Sequence, residues 1–202
     1  LPVTPEMGYA QSALTEPWAC VTRSYDVIYR VGWKAQGNVL IVAGAATTGK
    51  ERLGKPYAAG QAPARVVTLG VDGPLAADLK IASAADGFAL ESIASLGEVT
   101  GRTFDDVVII GGDVALYETL EPLAGKDALI CLVGGQGYEG TARVDVGRLH
   151  YDNLTLVSTA GSEIGAAYTP IRTQLKPGGA VAMLGVAGPM GQMHFLRALQ
   201  LT

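Results

Sequence analysis

The chain has 202 residues, of which 49% are hydrophobic and 17% are charged, and its formal net charge is -4. This composition excludes a disordered chain and suffices for one domain core, or one and a fraction. No Lys/Arg cluster marks a nucleic-acid partner, and the apolar runs are shorter than the ~18 residues that a membrane span needs. Cys20 and Cys131 match no metal or disulfide spacing, so we expect a reducing, cytoplasmic location.

Apolar β-rich runs alternate along the chain with Ala-rich amphipathic stretches, a pattern typical of a parallel sheet covered by helices. The predicted strands are Asn38–Ala43, Arg65–Val71, Asp106–Ile110, Ala128–Val133, Leu154–Ser158 and Ala180–Leu184. The predicted helices are Pro74–Ala85, Ala89–Leu96, Asp113–Leu123 and Ser162–Leu175. We therefore expect an α/β fold, a Rossmann-like doubly wound parallel sheet with helices on both faces.

The expected organisation has three parts. Residues 1–36 form a linking segment and a helix, and residues 37–178 form the Rossmann-like dinucleotide-binding domain. Residues 179–202 either begin a second Rossmann-like unit or add an edge strand and a helix to the first. The stretch 50–64 departs from the doubly wound pattern, because it contains glycines and prolines where the first crossover helix belongs. We therefore predict a short helix or a loop there.

The first predicted strand ends in a glycine turn. Gly44, Ala46 and Gly49 have the spacing of the G-x-G-x-x-G dinucleotide motif, with Ala at the middle position, where its methyl narrows the space for a pyrophosphate. Asp72 follows the second predicted strand, where an acid reads the ribose hydroxyl of NAD and disfavours NADP. Asp72 equally fits a structural role, because it opens a turn and precedes the next helix as a cap.

Two other glycine patterns occur in the chain. Residues 44–50 also fit the G-x-x-x-x-G-K phosphate loop, but Glu51 replaces the Ser or Thr that holds magnesium, and its carboxylate would repel a β-phosphate. Residues 135–140 match G-x-G-x-x-G, but the residues after them do not predict a helix. We interpret residues 135–140 as a loop at the carboxyl edge of the sheet.

A second strand-and-turn signature lies near the end of the sequence. Gly188 and Gly191 hold the last two glycine positions of the motif, Val186 replaces the first, and Pro189 suits the first turn of a helix. The final helix has no Gly, Asn or Pro to end it, so we expect a piece of a longer protein. The alternative is a natural terminal helix after removal of a leader.

Side chains typical of catalysis are sparse. We interpret the only histidines, His150 and His194, as packing or surface residues. No Ser/His/Asp or Cys/His arrangement can be assembled from the sequence, so no catalytic residue is predicted.

Taken together, four stretches resemble the cofactor domain of the medium-chain dehydrogenase/reductase superfamily, namely residues 12–21, 37–49, 128–135 and 161–162. Lys176-Pro177-Gly178 and the turn that ends at Gly191 resemble the sorbitol and sorbose-phosphate reductase branch. The resemblance implies hydride transfer between NAD, or less readily NADP, and an alcohol, polyol or sugar-phosphate carbonyl. It also implies a small-molecule substrate for the full-length protein. The apolar residues of the final helix, Phe195, Leu196, Leu199 and Leu201, need to be covered, so we expect a homo-oligomer.

The same resemblance places Glu16 where polyol dehydrogenases hold a carboxylate at or near zinc. One carboxylate cannot hold zinc alone, because a catalytic site needs about three protein ligands. We therefore expect zinc only in the full-length protein, and no complete catalytic site in this chain. Here we expect Glu16 to be a helix-start residue, where the helix dipole favours a carboxylate. A rival interpretation is a degenerate Rossmann-like domain with a structural or assembly role and no bound cofactor.

Overall fold

The computed structural model describes residues 6–26, 29–134, 138–169 and 175–201. The chain divides into two compact units, Arg30–Pro170 and the pair of segments Leu1–Tyr29 and Ile171–Thr202. Over the described residues the α-helices are α1 (Tyr9–Asp26), α2 (Gly73–Asp86), α3 (Val114–Leu120), α4 (Val146–Tyr151) and α5 (Pro189–Leu201). None of these helices combines the length and apolar character needed to cross a membrane.

The larger unit is built on a six-stranded sheet in which all neighbouring strands are parallel. The strands are β1 (Asn38–Ala43), β2 (Arg65–Leu69), β3 (Ala89–Ile93), β4 (Phe104–Ile110), β5 (Ala124–Val133) and β6 (Thr155–Thr159). Their order in the sheet is β3-β2-β1-β4-β5-β6. The order reverses between β1 and β4, as in doubly wound folds, so the expected Rossmann-like α/β sheet is confirmed.

Two hydrophobic clusters cover the two faces of the sheet. On one face α2 packs Leu75 and Leu79 against alternate residues of β1, β2 and β4. On the other face α3 packs Tyr117 and Leu120 against the intervening residues of the same sheet. The central strands are therefore buried on both sides, which explains why their sequences are almost wholly apolar.

Several predicted elements differ from the structure. The predicted helix Ala89–Leu96 is instead β3, because residues 89–93 pair in parallel with β2 and this pairing overrides a helix-like spacing of apolar residues. Of the predicted helix Ser162–Leu175, the structure forms a 3-10 turn at Ile164–Ala167, and residues 170–174 lie outside the described part. The short helix α4 was not predicted.

The predicted strand Ala180–Leu184 is wrong, since these residues have no regular structure. A strand needs a neighbour that takes up its backbone N–H and C=O groups. The described part of the smaller unit contains helices only, so no such neighbour exists there.

The smaller unit consists of α1 and α5 packed together. The Tyr25 hydroxyl donates to the His194 carbonyl oxygen at 3.3 Å, and the two rings lie 5.6 Å apart. Arg197 pairs with Asp26 at 3.3 Å. His194 thus packs between the helices.

Candidate functional site

The carboxyl ends of four strands border a cleft in the larger unit. The cleft has a volume of about 270 Å³ and lies beside the point where the strand order reverses, which is where doubly wound sheets bind ligands. Its lining comes from the residues that follow β1, β4, β5 and β6, together with the last residue of β5: Ala46, Thr48, Glu51, Gly111, Val133, Gly134, Ala160, Gly161 and Ser162.

The glycine turn after β1 packs tightly on the end of β4. The Gly44 N–H donates to the Ile110 carbonyl at 2.7 Å, and the Ala46 N–H donates to the Gly111 carbonyl at 2.8 Å. A Cβ on Gly44 would lie 2.6 Å from the Gly111 oxygen and 2.7 Å from the Gly112 Cα. Gly44 is therefore required by its contact with β4, whether or not a ligand approaches.

No helix follows this turn. Residues 44–64 are irregular apart from a single bridge between Arg52 and Glu163. Gly54 and Gly60 take positive φ values of 64° and 74°, which favour glycine and end a helix. The predicted short helix or loop is thus a loop, so the turn is not followed by a helix that directs its dipole at a ligand.

Glu51 folds back into the turn. Its Oε1 accepts the Thr48 N–H at 2.7 Å and the Thr48 hydroxyl at 2.9 Å, and the residue is 9% exposed. Burial alone would raise the pKa of this carboxyl, but hydrogen bonds from the backbone N–H groups of Thr48, Glu51 and Gly49 outweigh it and hold the pKa below its ordinary value. The turn therefore already holds one negative charge.

Asp72 lies close to the same turn. It occupies the N-cap position of α2, but its side chain makes no capping hydrogen bond. It lines a depression together with Thr47 and Glu51, and this depression has a volume of about 20 Å³. That volume has room for about one water molecule. The structure thus brings the turn and Asp72 together, while the space between them is small.

The two other residues of the first motif, Ala46 and Gly49, have different surroundings from Gly44. Ala46 lines the cleft, and Gly49 has a φ of 72° with nothing near its missing Cβ. In this conformation most of the turn's backbone donors are bonded within the protein, so a pyrophosphate does not fit without a change in these hydrogen bonds. Cofactor binding at Gly44, Ala46 and Gly49 stays a prediction.

The second glycine turn belongs to the smaller unit and precedes α5. A Cβ on Gly191 would collide with the Gly185 carbonyl and lie 2.7 Å from the Val186 Cα, so this glycine lets the turn pack on the helix. A Cβ on Gly188 would meet only the Gly185 oxygen at 3.8 Å. The close packing of Gly191 is one of the roles that glycines play in dinucleotide turns, whereas the space at Gly188 would admit a Cβ, and the strand expected before them is absent. Of the G-x-G-x-x-G pattern at residues 135–140, residues 135–137 lie outside the described part.

Glu16 lies exposed in the interior of α1, which begins at Tyr9, so the expected helix start at Glu16 is wrong. The Cys20 thiol donates to its carboxylate at 3.1 Å, one helical turn away. Within the described ranges, no group of three or more His, Cys, Asp or Glu side chains could hold a metal ion. Glu16 therefore stays an isolated prediction for zinc.

Two features of the sequence indicate contacts of this turn that were not predicted. Thr48 and Glu51 have the S/T-x-x-E spacing in which a glutamate reaches back to a backbone N–H, and that bond forms here without a helix. Gly111-Gly112 at the end of β4 is a small-residue pair that admits the β1 turn.

No family model matches the sequence, and no curated protein matches it. Among solved structures, 2R,3R-butanediol dehydrogenase from Bacillus subtilis is 14% identical over 83% of this chain and 47% of that chain, with a TM-score of 0.35. S. aureus TarJ is 14% identical over 80% and 50%, with a TM-score of 0.37. Benzyl alcohol dehydrogenase from Acinetobacter calcoaceticus is 17% identical over 80% and 45%, with a TM-score of 0.38. The chain spans about half the length of these proteins, and likenesses this distant assign no activity.

Proposed function

We propose that the chain is the NAD(P)-binding portion of a medium-chain-type oxidoreductase that acts on an alcohol, polyol or sugar-phosphate carbonyl. The observation that carries this proposal is the cleft at the β1/β4 reversal of a Rossmann-like sheet, with Asp72 at the end of the neighbouring strand β2. The sequence resemblance supplies the reaction class. The nicotinamide cofactor would supply the hydride when bound, and the substrate would belong to the full-length protein.

In this proposal the residues of the chain bind and orient the cofactor. Asp72 would accept hydrogen bonds from the adenosine ribose, since its carboxylate has no capping role in the structure. A carboxylate at this position favours NAD over NADP, because it would repel a 2′-phosphate. Zinc, if the full-length protein holds it, would need ligands besides Glu16.

One observation favours the second candidate function, a Rossmann-like scaffold without cofactor. The donors of Gly44 and Ala46 are bonded to β4, and that of Thr48 is bonded to Glu51. A turn whose hydrogen bonds are satisfied in this way can serve packing alone.

Titration of the whole chain with NADH, followed by nicotinamide fluorescence, separates the two functions. Under the first, NADH binds, and Asp72→Asn weakens it by about 1–3 kcal/mol because the ribose loses a charge-assisted hydrogen bond. Asp86→Asn, at the far end of α2, is the matched control and should bind as the wild type does. No NADH binding by a well-folded wild type favours the scaffold.

We also propose that the chain forms a homo-oligomer. Phe195, Leu196 and Leu199 on α5 are 46%, 52% and 58% exposed, and apolar surface of this kind invites association. The mass in solution tests this proposal, and a monomer at all concentrations contradicts it.

A further inference from the structure

Glu51 lies where the turn after β1 would present its donors to an anion. The Thr48 N–H and hydroxyl both bond to its Oε1, at 2.7 and 2.9 Å. Because the residue is 9% exposed, this charge is held inside the turn rather than in solvent. The carboxylate itself is evidence that these donors can hold an anion.

Glu51 also lies between the two hollows of the sheet edge. It lines the cleft that reaches Ser162, and it lines the small depression that holds Asp72. Among the described residues, Glu51 is the one that the linings of both hollows share. The position of one side chain thus limits the space available to an elongated ligand.

A carboxylate and a phosphate group cannot use the same donors at once. Backbone N–H groups in a turn bind either anion, and two like charges at contact distance repel each other. A phosphate that enters the turn after β1 therefore has to displace Glu51.

We propose that Glu51 is a built-in occupant of the anion site in the turn at residues 44–50, and that a phosphate or pyrophosphate group binds there only when this carboxylate is withdrawn. The nucleotide source of that phosphate rests on the proposed function. Glu51 is then a residue that sets the affinity of the site by competition, and it takes no part in chemistry.

The test titrates the whole chain with inorganic pyrophosphate and, separately, with NADH, by calorimetry. Glu51→Ala empties the site and should bind pyrophosphate at least about tenfold more tightly than the wild type. Glu51→Gln keeps the shape but loses the charge, so its affinity should lie between the two. Circular dichroism and thermal melting verify the fold, and Glu51→Gln carries the test if Glu51→Ala does not fold.

Glu98→Ala is the matched control. The Glu98 carboxylate also accepts two backbone N–H groups, those of Ala94 and Ser95 at 2.8 and 3.0 Å, and lines neither hollow. The Glu98→Ala variant should bind pyrophosphate as the wild type does.

The outcomes separate the two proposals. Equal pyrophosphate affinity in the wild type and both Glu51 variants overturns the competition, even if NADH binds to all three. A gain for pyrophosphate without any NADH binding upholds the competition and contradicts the cofactor function. A gain for both ligands over a wild type that already binds NADH agrees with both proposals.

Discussion

The Arg52 guanidinium and the Asp78 carboxylate form a two-bond fork, with Nε to Oδ2 at 2.7 Å and Nη2 to Oδ1 at 2.8 Å. The Leu53 N–H donates to the same carboxylate at 3.1 Å. Asp78 belongs to α2, whereas Arg52 and Leu53 belong to the loop between β1 and β2. One side chain thus ties this loop to the neighbouring helix.

We expect Asp78→Asn to loosen the loop without unfolding the sheet. The neutral amide loses the charge-assisted fork and weakens the bond to the Leu53 N–H. Amide hydrogen exchange should then accelerate at Leu53, while the amides of β1 keep their protection. Glu91→Gln, which removes the charge of an exposed ion-pairing carboxylate on β3, is the control. An unchanged amide exchange rate at Leu53 contradicts the prediction that Asp78 holds this loop against α2.

The same carboxylate makes stability depend on acid. The hydrogen bond from Arg52 outweighs burial and lowers the pKa of Asp78. A carboxyl with a lowered folded-state pKa stabilises the fold above its unfolded value of about 3.9, and this contribution is lost as the pH falls through the folded pKa. Melting curves should therefore depend less steeply on pH below about 4 in Asp78→Asn than in the wild type. Parallel curves contradict the prediction.

Arg30 compensates a buried charge at the start of β4. Its Nη1 lies 2.8 Å from both oxygens of Asp106, whose side chain is fully buried. Arg30→Met leaves this carboxylate without a charged partner, with only the hydrogen bond from the Lys34 N–H at 3.0 Å, and should cost about 3–5 kcal/mol in urea unfolding. Lys34→Met removes the exposed partner of Asp105 and should cost at most about 1 kcal/mol.

The cost of Arg30→Met should also grow with pH. Burial raises the pKa of Asp106 to about 7, and the Arg30 charge opposes this rise. A carboxyl with a raised folded-state pKa loses stability as the pH rises from its unfolded value of about 3.9 through the folded pKa, because the unfolded chain releases the proton that the fold retains. Without the Arg30 charge the folded pKa of Asp106 rises further, so this loss continues to higher pH. The destabilisation should be larger at about pH 8 than at about pH 5. A loss that is equal at both values contradicts the prediction.

Gly44→Ala tests whether this glycine serves packing. Its Cβ would lie 2.6 Å from the Gly111 oxygen, so the turn and the β4 end have to move apart, at about 1–3 kcal/mol. Gly97→Ala is the control, because its Cβ meets only the Ser95 hydroxyl, at 3.4 Å. Equal stability of the two variants in urea contradicts the packing role.

The two thiols should react very differently. Burial raises the pKa of Cys131 to about 12, whereas Cys20 is exposed and its pKa is raised by the hydrogen bond to Glu16. Alkylation of the folded chain should modify Cys20 alone, and faster in Glu16→Gln, which removes the negative charge that disfavours the thiolate. Glu118→Gln is the control. Equal rates in Glu16→Gln and the wild type contradict the effect of Glu16.

The fold was more predictable than the site. The buried parts of β1 and β5, residues 39–43 and 128–133, are apolar throughout, so the sequence identifies them without their neighbours. The edge strand β3 is only partly buried, and its pairing with β2 decides its conformation.

The turn after β1 shows why the site was harder to predict. Its glycine spacing is compatible with ligand binding and with packing, and the difference lies in which atoms accept its N–H groups. Two of those acceptors, the carbonyls of Ile110 and Gly111, are far away in sequence, so local spacing cannot reveal them. The third acceptor, Glu51, is local, and its spacing from Thr48 was a usable signal.

Trp33 lies deep in the larger unit, where it stacks on Tyr57 at 5.6 Å and donates to the Tyr168 hydroxyl at 3.0 Å. The other tryptophan, Trp18, belongs to α1 in the smaller unit. Each unit therefore carries its own intrinsic fluorophore. In Trp18→Phe the tryptophan emission comes from Trp33 alone. Its spectral shift during denaturation therefore follows the unfolding of the larger unit separately from that of the helix pair.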